Sequence, residues 1–303
     1  MADINDLTTD IYTVLNAELK HEPNADLAAE YSMRIGGEMA KATLQRNAPR
    51  EKGKLWASDL GKPCMRQHWY NFNMPEVKAP LLGHTKFKFL YGNILEEAVL
   101  YMAEEAGHEV TDQQARVEWD VPSQAHEGEW QVTGRIDAFL DGCLVDVKST
   151  SVYGFARYKH GIDASNDSFG YLFQLGFYAE FGEWGFTPED KGFVWIDKQN
   201  GHIKFTSVVT PSHTKIVKRT HDIIDSVESA KADDVNRGYA PEPYGKSGNQ
   251  CLPMSCSYCS YKNECWKDSN GGRGLRTFAY NHKPIHFTTI AREPKVPEIF
   301  GDA

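Results

Sequence analysis

Residues 131–150 read QVTGRIDAFLDGCLVDVKST, and this stretch decides the fold of the chain. From Val132 to Leu140 every second side chain is apolar or small, which is typical of a β-strand with one buried face. Asp141-Gly142 is a favoured two-residue hairpin turn. Residues 143–148 alternate again, so they predict a second strand. The whole stretch is therefore expected to form an antiparallel β-hairpin.

The register of this hairpin brings two acidic side chains together. With Asp141-Gly142 as the loop, Leu140 faces Cys143, and counting back places Asp137 directly opposite Asp146. Facing carboxylates repel each other, so a divalent cation such as Mg²⁺, which prefers one or two carboxylates, is expected between them. Lys148 shares the face of Asp146 and could orient a water molecule or stabilise charge on a phosphate. The alternative is a solvated hairpin face on which Lys148 merely pairs with an acid.

Helical patterns flank the hairpin on both sides. Residues 92–105 predict a helix on which Glu96 lies at the border of the apolar stripe and Glu97 points away from it. Residues 168–183 predict another helix, on which a spacing of four places Gln174 and Tyr178 on one face. Gln174 could donate to a phosphate or a carboxylate. For Tyr178, a core side chain with a satisfied hydroxyl is an equally good interpretation.

Four of the six cysteines lie within residues 251–265. Cys256, Cys259 and Cys265 would bring three thiolates together, and the fourth ligand of a four-coordinate site could be Cys251 or Cys64. The spacing alone does not choose between these two cysteines, nor between zinc and an iron–sulfur cluster. Cys143 is expected to pack within its strand.

Composition limits the class of protein. The chain has 303 residues, of which 41% are hydrophobic, so it can build a core. Its net charge of -9 argues against coating nucleic acid through bulk charge, yet it is compatible with a narrow basic groove on an acidic body. The start of the chain lacks the basic and apolar regions of a secretory signal, and no apolar run approaches a membrane span. We therefore expect a cytoplasmic protein.

Residues 84–91, HTKFKFLY, alternate basic and aromatic side chains. Aromatic rings with flanking cations suit single-stranded DNA, which would make Lys86 and Lys88 DNA contacts. The same alternation is also typical of an ordinary strand with one buried face. Elsewhere, residues 1–50 predict a helical region, and residues 270–303 predict a tail that is at least partly disordered.

The motifs together resemble a known superfamily. Gly134-Arg-Ile-Asp137 followed by Asp146-Val-Lys148 resembles the active-site motif of the PD-(D/E)xK nucleases in their RecB-like form. Residues 92–96 resemble the upstream G-x-x-x-E motif of that family, and residues 174–178 its downstream Q-x-x-x-Y motif. One cysteine before the core and three after it is the arrangement of the iron–sulfur RecB-like nucleases. Ile136 departs from the family name, which has proline at this position.

The resemblance implies an α/β fold: a restriction-endonuclease-like core with a central mixed sheet flanked by helices, plus a C-terminal iron–sulfur segment. It implies an N-terminal region at 1–50, a nuclease core at 51–250, cluster cysteines within 251–269 and a tail at 270–303. It also implies residue roles. Mg²⁺ or Mn²⁺ would be held by Glu96, Asp137 and Asp146, with Lys148, Gln174 and Tyr178 assisting. A [4Fe–4S] cluster would be held by Cys64, Cys256, Cys259 and Cys265, with Arg66 in the same family segment as a DNA contact.

The implied activity is metal-dependent DNA exonuclease action on single-stranded ends, in recombination, repair or DNA processing. The similarity is closest to small members without a helicase, such as those of CRISPR systems and phages, which would act in the host cytoplasm. DNA would be the main partner, with a helicase, recombinase or integrase as a further one. Two alternatives stay open: a structure-selective endonuclease on flaps or branches, and a DNA-binding subunit that keeps the fold without cutting.

Overall fold

The computed structural model describes residues 2–16, 22–44, 51–122, 129–185, 188, 190–280 and 283–300. The chain forms two compact units. The first unit consists of Met1–Asn47, Gly53–Lys62 and Leu82–Thr220, and the second of Ala48–Lys52, Pro63–Leu81 and His221–Ala303. The segment around Cys64 therefore groups with the C-terminal third of the chain, whereas the sequence had suggested a continuous core over residues 51–250.

The first unit is a mixed α/β structure. Its helices are α1 (Leu7–Leu15), α2 (Ala25–Leu44), α3 (Ala57–Leu60), α5 (Gly83–Glu105), α6 (Val152–Tyr158) and α7 (Tyr171–Phe181). Its strands are β1 (Lys54–Trp56), β2 (Val110–Thr111), β3 (Arg116–Val121), β4 (Trp130–Arg135), β5 (Ala138–Leu140), β6 (Cys143–Thr150), β7 (Lys191–Asp197) and β8 (Ile203–Ser207).

The strands of this unit form two sheets. The smaller sheet has the order β1-β4-β3, with β1 parallel to β4 and β3 antiparallel to it. The larger sheet has the order β2-β5-β6-β7-β8 and is antiparallel except for the parallel pair β6 and β7. Each sheet therefore mixes parallel and antiparallel strands, as the sequence had predicted for a single central sheet.

The hairpin has the predicted register but not the predicted continuity. Leu140 pairs with Cys143 and Ala138 with Val145, as the Asp-Gly turn requires. However, the strand expected from Val132 to Leu140 is split, because β4 ends at Arg135 and β5 begins only at Ala138. The chain crosses from the smaller sheet to the larger one at residues 136–137. An alternating pattern does not reveal which strands pair with the first and second halves of residues 132–140. The break between β4 and β5 therefore could not be predicted from the local sequence.

One core cluster of the first unit lies on one face of the larger sheet. There α1 and α5 pack against the sheet of strands β5 to β8, and α2 packs on α5. The strand side chains of this face are the odd-numbered Cys143, Val145 and Val147, which are buried. Since side chains alternate along a strand, Leu144, Asp146 and Lys148 lie on the opposite face. The carboxylate and the lysine are thereby separated from the main aliphatic core.

Two predicted helices have different bounds from those observed. The helix expected at residues 92–105 begins nine residues earlier, at Gly83, so residues 84–91 are helical rather than a strand. The helix expected at 168–183 is shorter and spans Tyr171–Phe181. Among the described helices, none is long and apolar enough to cross a membrane.

The second unit is built from short helices and an antiparallel sheet. Its helices are α4 (Met65–Asn73), α9 (Met254–Ser257), α10 (Lys262–Cys265) and α11 (Ser269–Gly272), and α8 (His213–Glu228) runs from the first unit into it. Its strands are β9 (Glu242–Pro243), β10 (Gln250–Cys251), β11 (Arg276–Tyr280), β12 (Lys283–Thr289) and β13 (Glu298–Ile299). They form one sheet in the order β13-β11-β12-β10-β9.

The prediction of a poorly ordered tail over residues 270–303 was wrong for most of that segment. Strands β11 and β12 pair as a hairpin in this sheet. The reason is a small core of its own, in which Phe278 and Phe287 are buried against Cys251 of β10. The Gly and Pro content had suggested disorder, but the alternate apolar residues of the two strands pack together.

Candidate functional site

The sheet change at residues 136–137 creates the setting of the candidate active site. Because β5 pairs with β6 only as far as Val145, the main chain of Val147 has no β5 partner. Its N–H donates instead to Asp137 Oδ2 at 2.6 Å. Asp137 therefore stays beside β6 although it lies outside the ladder, and its carboxylate is held at the predicted place next to Asp146 and Lys148.

Asp146 is the most deeply buried acid of the group, at 1% exposure. Lys148 Nζ lies 2.5 Å from Asp146 Oδ2 as an ion pair. Asp146 Oδ1, by contrast, accepts no hydrogen bond from any described residue. A buried carboxylate with an unsatisfied oxygen is costly. Asp146 therefore has the capacity to accept further ligands, and a bound cation would satisfy it.

Glu96 is the third acid that the structure brings to this place. Burial, followed by the charge of Asp137, raises the pKa of Glu96 to about 9. Its Oε1 accepts a hydrogen bond from Gln114 Nε2 at 2.8 Å. Glu97 points elsewhere, as predicted, but it is buried rather than solvated, and the charges that act on it come from Arg34 and other residues of α2.

The electrostatics of the group show an excess of negative charge. Burial, followed by the charge of Asp146, raises the pKa of Asp137 to about 7. Burial likewise raises the pKa of Asp146, although the Lys148 ammonium opposes this. Burial lowers the pKa of Lys148, but the carboxylates of Asp146 and Asp137 outweigh it and raise that pKa overall. Glu96, Asp137 and Asp146 thus share the single positive charge of Lys148. This imbalance favours either protonation of a carboxylate or binding of a divalent cation.

Gln174 and Tyr178 on α7 meet at the edge of this group. Gln174 Nε2 donates to the Tyr178 hydroxyl at 3.2 Å. Burial, followed by the charge of Asp146, raises the pKa of Tyr178, which is 3% exposed. Tyr178 also packs on Gly134, where a Cβ atom would lie 2.7 Å from its ring. Tyr178 is therefore both a core residue and a neighbour of the carboxylates.

Sequence reasoning missed Tyr171. Lys148 Nζ lies 5.2 Å from the centre of the Tyr171 ring, a cation–π distance. Phe169 in turn stacks on Tyr171, with ring centres 5.5 Å apart. A signal was present, since Tyr171 precedes Gln174 by three residues and a helix places such residues on one face.

The cysteines that the family resemblance selected lie near one another within the second unit. Burial, followed by the charges of Cys64, Cys259 and Cys265, raises the pKa of Cys256 to about 12. The pKa of Cys259 rises to about 11, again through burial and with contributions from Cys64 and Cys265. Cys64 is therefore close to all three C-terminal thiols although it precedes them by about 190 residues in sequence.

Cys251 lies in a different environment. It belongs to β10 and packs against Phe278 and Phe287 in the core of the antiparallel sheet. The positions of Cys64 and Cys251 together favour Cys64 as the fourth thiol of the group, which the spacing alone had left open. Cys143 is buried in β6, as predicted.

Main-chain and cationic groups surround the four thiols. The Gly238 N–H donates to Cys64 Sγ at 3.5 Å, and a Cβ atom on Gly238 would lie 2.8 Å from the Cys64 Cα atom. Arg66 is buried and donates to the Val235 carbonyl at 2.8 Å. Burial raises the pKa of Cys265, and the charges of Arg237 and Arg66 partly oppose this. Burial argues against the predicted contact of Arg66 with DNA and indicates a structural role near the thiols.

Neither group is arranged as a finished metal site. Across the parts of the chain that the structure describes, no three His, Cys, Asp or Glu side chains are grouped tightly enough to hold a metal ion as they stand. A bound cation would offset the burial and the mutual repulsion of the acids around Asp146 and of the thiols around Cys256.

Comparisons with known proteins add little to this site. No family model matches the chain, and no curated protein matches it either. Among solved structures, it is similar to one described as "Crystal structure of SSO0001", with a TM-score of 0.45 and 15% sequence identity. The match covers 76% of this chain and 93% of that chain. A likeness of this size carries no argument about function.

Proposed function

We propose that this protein is a metal-dependent deoxyribonuclease of the RecB-like PD-(D/E)xK type, acting on single-stranded DNA ends. The observation that carries the proposal is the buried Asp146 carboxylate, whose Oδ1 accepts no hydrogen bond in the described part of the chain while its Oδ2 contacts Lys148. It lies among Glu96, Asp137 and Lys148 in the order and arrangement that the sequence motifs predict. A purely structural acid would be expected to have its oxygens satisfied.

The donor set fits Mg²⁺ or Mn²⁺. Glu96, Asp137 and Asp146 offer hard carboxylate oxygens, which both ions prefer, and the group contains neither a thiol nor an imidazole. A bound divalent ion supplies a Lewis acid that polarises a phosphate oxygen and lowers the pKa of a water molecule. Its charge would also remove the repulsion that raises the pKa values of the three acids.

The remaining residues have defined tasks in phosphodiester hydrolysis. Lys148, held by Asp146 and resting on the Tyr171 ring, keeps its proton and can stabilise negative charge on the phosphate. Gln174 can donate a hydrogen bond to a phosphate oxygen, and its contact with Tyr178 fixes its orientation. Val147 holds Asp137 in place through its main-chain N–H.

We further propose that Cys64, Cys256, Cys259 and Cys265 hold a [4Fe–4S] cluster. Four thiols of mutual proximity fit the all-cysteine ligand set of such clusters, and their raised pKa values mark a place where thiolates need a metal to be stable. The resemblance to iron–sulfur RecB-like nucleases favours iron over zinc. The cluster would tie residue 64 to the segment at 256–265 and so stabilise the second unit.

The nuclease proposal is tested with end-labelled DNA. The purified protein should degrade linear single-stranded DNA when Mg²⁺ or Mn²⁺ is added, and chelation should stop the reaction. Circular single-stranded DNA should stay intact, since it has no end. Cutting of the circle would instead favour the endonuclease alternative. Activity in Asp146→Asn equal to that of the wild type would overturn the proposal.

A further inference from the structure

The N-terminal half of α5 is an exposed, basic and aromatic surface that continues from the candidate active site. Phe87 and Phe89 are 70% and 57% exposed. Lys86 and Lys88 flank Phe87 in sequence and Lys88 directly precedes Phe89, and no Asp or Glu occurs from Leu82 to Leu95.

Helix geometry separates the two phenylalanines. Phe89 precedes Glu96 by seven residues, which is close to two turns, so the two side chains lie within about 20° of each other around the axis. They are separated by about 10 Å along it. Phe87 precedes Glu96 by nine residues and lies about 180° away, on the opposite face. Only Phe89 is therefore aligned with the carboxylates.

A close approach between Gly92 and β6 fixes the direction of this face. A Cβ atom on Gly92 would lie 3.3 Å from Ser149 Oγ, and Ser149 points to the face of β6 on which α5 packs. Gly92 lies one turn after Phe89 on about the same side of α5. The helix face that carries Phe89 is therefore the one that touches the C-terminal end of β6. The ring of Phe89 nevertheless remains exposed.

The charges on either side of Phe89 point to a polyanion. Viewed down the axis of α5, the side chains of Lys86 and Lys88 lie about 80° to either side of that of Glu96. The side chain of Phe89 therefore projects between the two lysines. Within the described part of the chain, neither lysine forms an ion pair with a carboxylate. A ring between two unpaired cations is suited to a stacked base with phosphates on both sides, which is how proteins bind single strands.

We propose that Phe89 is the base-stacking residue that selects single-stranded DNA for this nuclease. It would hold one base, with Lys86 and Lys88 on the flanking phosphates, and direct the strand toward Glu96, Asp137 and Asp146. Paired bases offer no free face to Phe89, so duplex ends must first open. This inference rests on the proposed nuclease function and adds the residue that confers strand preference.

The test measures binding apart from cleavage. In the full-length Asp146→Asn protein, the affinity for a fluorescent single-stranded oligonucleotide is followed by anisotropy. Phe89→Ala should weaken binding by about 5-fold to 100-fold, and Phe89→Trp should retain it. The matched control Phe87→Ala, two residues away and at least as exposed, should change affinity less than twofold. Binding of blunt duplex DNA should change little with either variant.

The lysines give an independent measurement. Each of Lys86→Gln and Lys88→Gln should lower the slope of log affinity against log salt by about 0.7, the value for one phosphate contact on a single strand. Equal losses in Phe89→Ala and Phe87→Ala, or no loss in Phe89→Ala, would overturn the inference. Loss of self-association in Phe89→Ala with unchanged DNA affinity would also overturn it and identify a protein interface.

These outcomes are distinguishable from failure of the proposed function. If Asp146→Asn abolishes cleavage while Phe89→Ala binds DNA like the wild type, only the stacking role of Phe89 is wrong. If Asp146→Asn cuts DNA normally, the nuclease site itself is wrong, whatever Phe89 does.

Discussion

The Tyr178 ring lies directly against Gly134, so that a Cβ atom at position 134 would be 2.7 Å from Tyr178 Cε1. This contact joins two motifs that lie about 40 residues apart in sequence: the strand leading to Asp137, and the helix that carries Gln174. It explains why position 134 has no side chain although its φ is not in the left-handed region. Tyr178 occupies the space that a side chain would need.

Gly134→Ala should therefore destabilise the protein. Overpacking of a core typically costs about 1–3 kcal/mol, and here Ala57 also lies within 2.8 Å of the added atom. Denaturant unfolding measures the effect. Gly37→Ala is the matched control, because position 37 lies within α2 with open space around it and alanine favours helix there. A neutral Gly134→Ala would show that Tyr178 does not pack as described.

The acids of the site should weaken the metal-free protein. We expect Asp146→Asn to be at least as stable as wild type in chelator, because it removes one of the repelling carboxylates. Mg²⁺ should raise the melting temperature of wild type, since a ligand that binds only the folded state stabilises it, and should do so much less for Asp146→Asn. Thermal melts with and without Mg²⁺ measure both effects. Equal Mg²⁺ shifts in the two proteins would contradict the assignment of Asp146 as a ligand.

Lys148 should separate catalysis from metal binding. A lysine cation is not a ligand, so Lys148→Ala should lose cleavage yet retain the Mg²⁺-dependent increase in melting temperature. Its removal leaves the carboxylates without their one cation, which should make the metal-free variant less stable than wild type. If Lys148→Ala lost Mg²⁺ stabilisation entirely, the lysine would act by positioning Asp146 instead.

The stability of the metal-free protein should fall as the pH rises. The pKa of Glu96 is raised from 4.5 to about 9 and that of Asp137 from 3.8 to about 7, so the folded state holds protons that the unfolded state has released. This contribution is fully present below about pH 4 and is lost as the pH rises through about 7 and then about 9. Thermal melts of wild type and Glu96→Gln in chelator at several pH values isolate the contribution of Glu96 to this pH dependence. The difference between the two proteins should shrink when Mg²⁺ is present, and a difference independent of pH would contradict the burial of Glu96 among acids.

The protein prepared without oxygen should be brown and contain about four irons per chain, as a [4Fe–4S] cluster requires. Cys64→Ala should lose the iron. Cys251→Ala should keep it, because Cys251 packs in the core of the antiparallel sheet. Iron analysis and visible absorbance distinguish the two variants. Stoichiometric zinc in a colourless protein would overturn the iron assignment without affecting the nuclease proposal.

Gly238 gives a sharper test of the proposed iron–sulfur site, because it contacts Cys64. A methyl group there would collide with the Cys64 main chain at 2.8 Å and displace the thiol that the Gly238 N–H contacts. Gly238→Ala should therefore lose iron although no ligand has been changed. Gly36→Ala, in open space on α2, should retain full iron content. Full iron in Gly238→Ala would show that Cys64 is not held by this contact.

Local patterns were sufficient to predict the hairpin and its neighbours. The Asp141-Gly142 turn has one preferred loop length, and this length sets the pairing of Leu140 with Cys143. Helical spacing likewise placed Gln174 beside Tyr178. These features depend on residues within a few positions of each other, where backbone geometry leaves few choices.

Other features depended on packing between distant segments. The change of sheet at residues 136–137, the burial of Glu97 against α2 and the burial of Arg66 beside Val235 have no local signal. The hairpin within residues 270–303 depends on burying Phe278 and Phe287 with Cys251.

The alternation of residues 84–91 is ambiguous for the same reason. It is typical of a strand with one buried face, yet the helix of Glu96 begins at Gly83 and includes these residues. The sequence by itself therefore determined the acids, the lysine and the turn, because these depend on residue type and short-range geometry. Only the tertiary structure decided which thiol joins Cys256 and which phenylalanine lies in line with Glu96, because both depend on how elements meet in space.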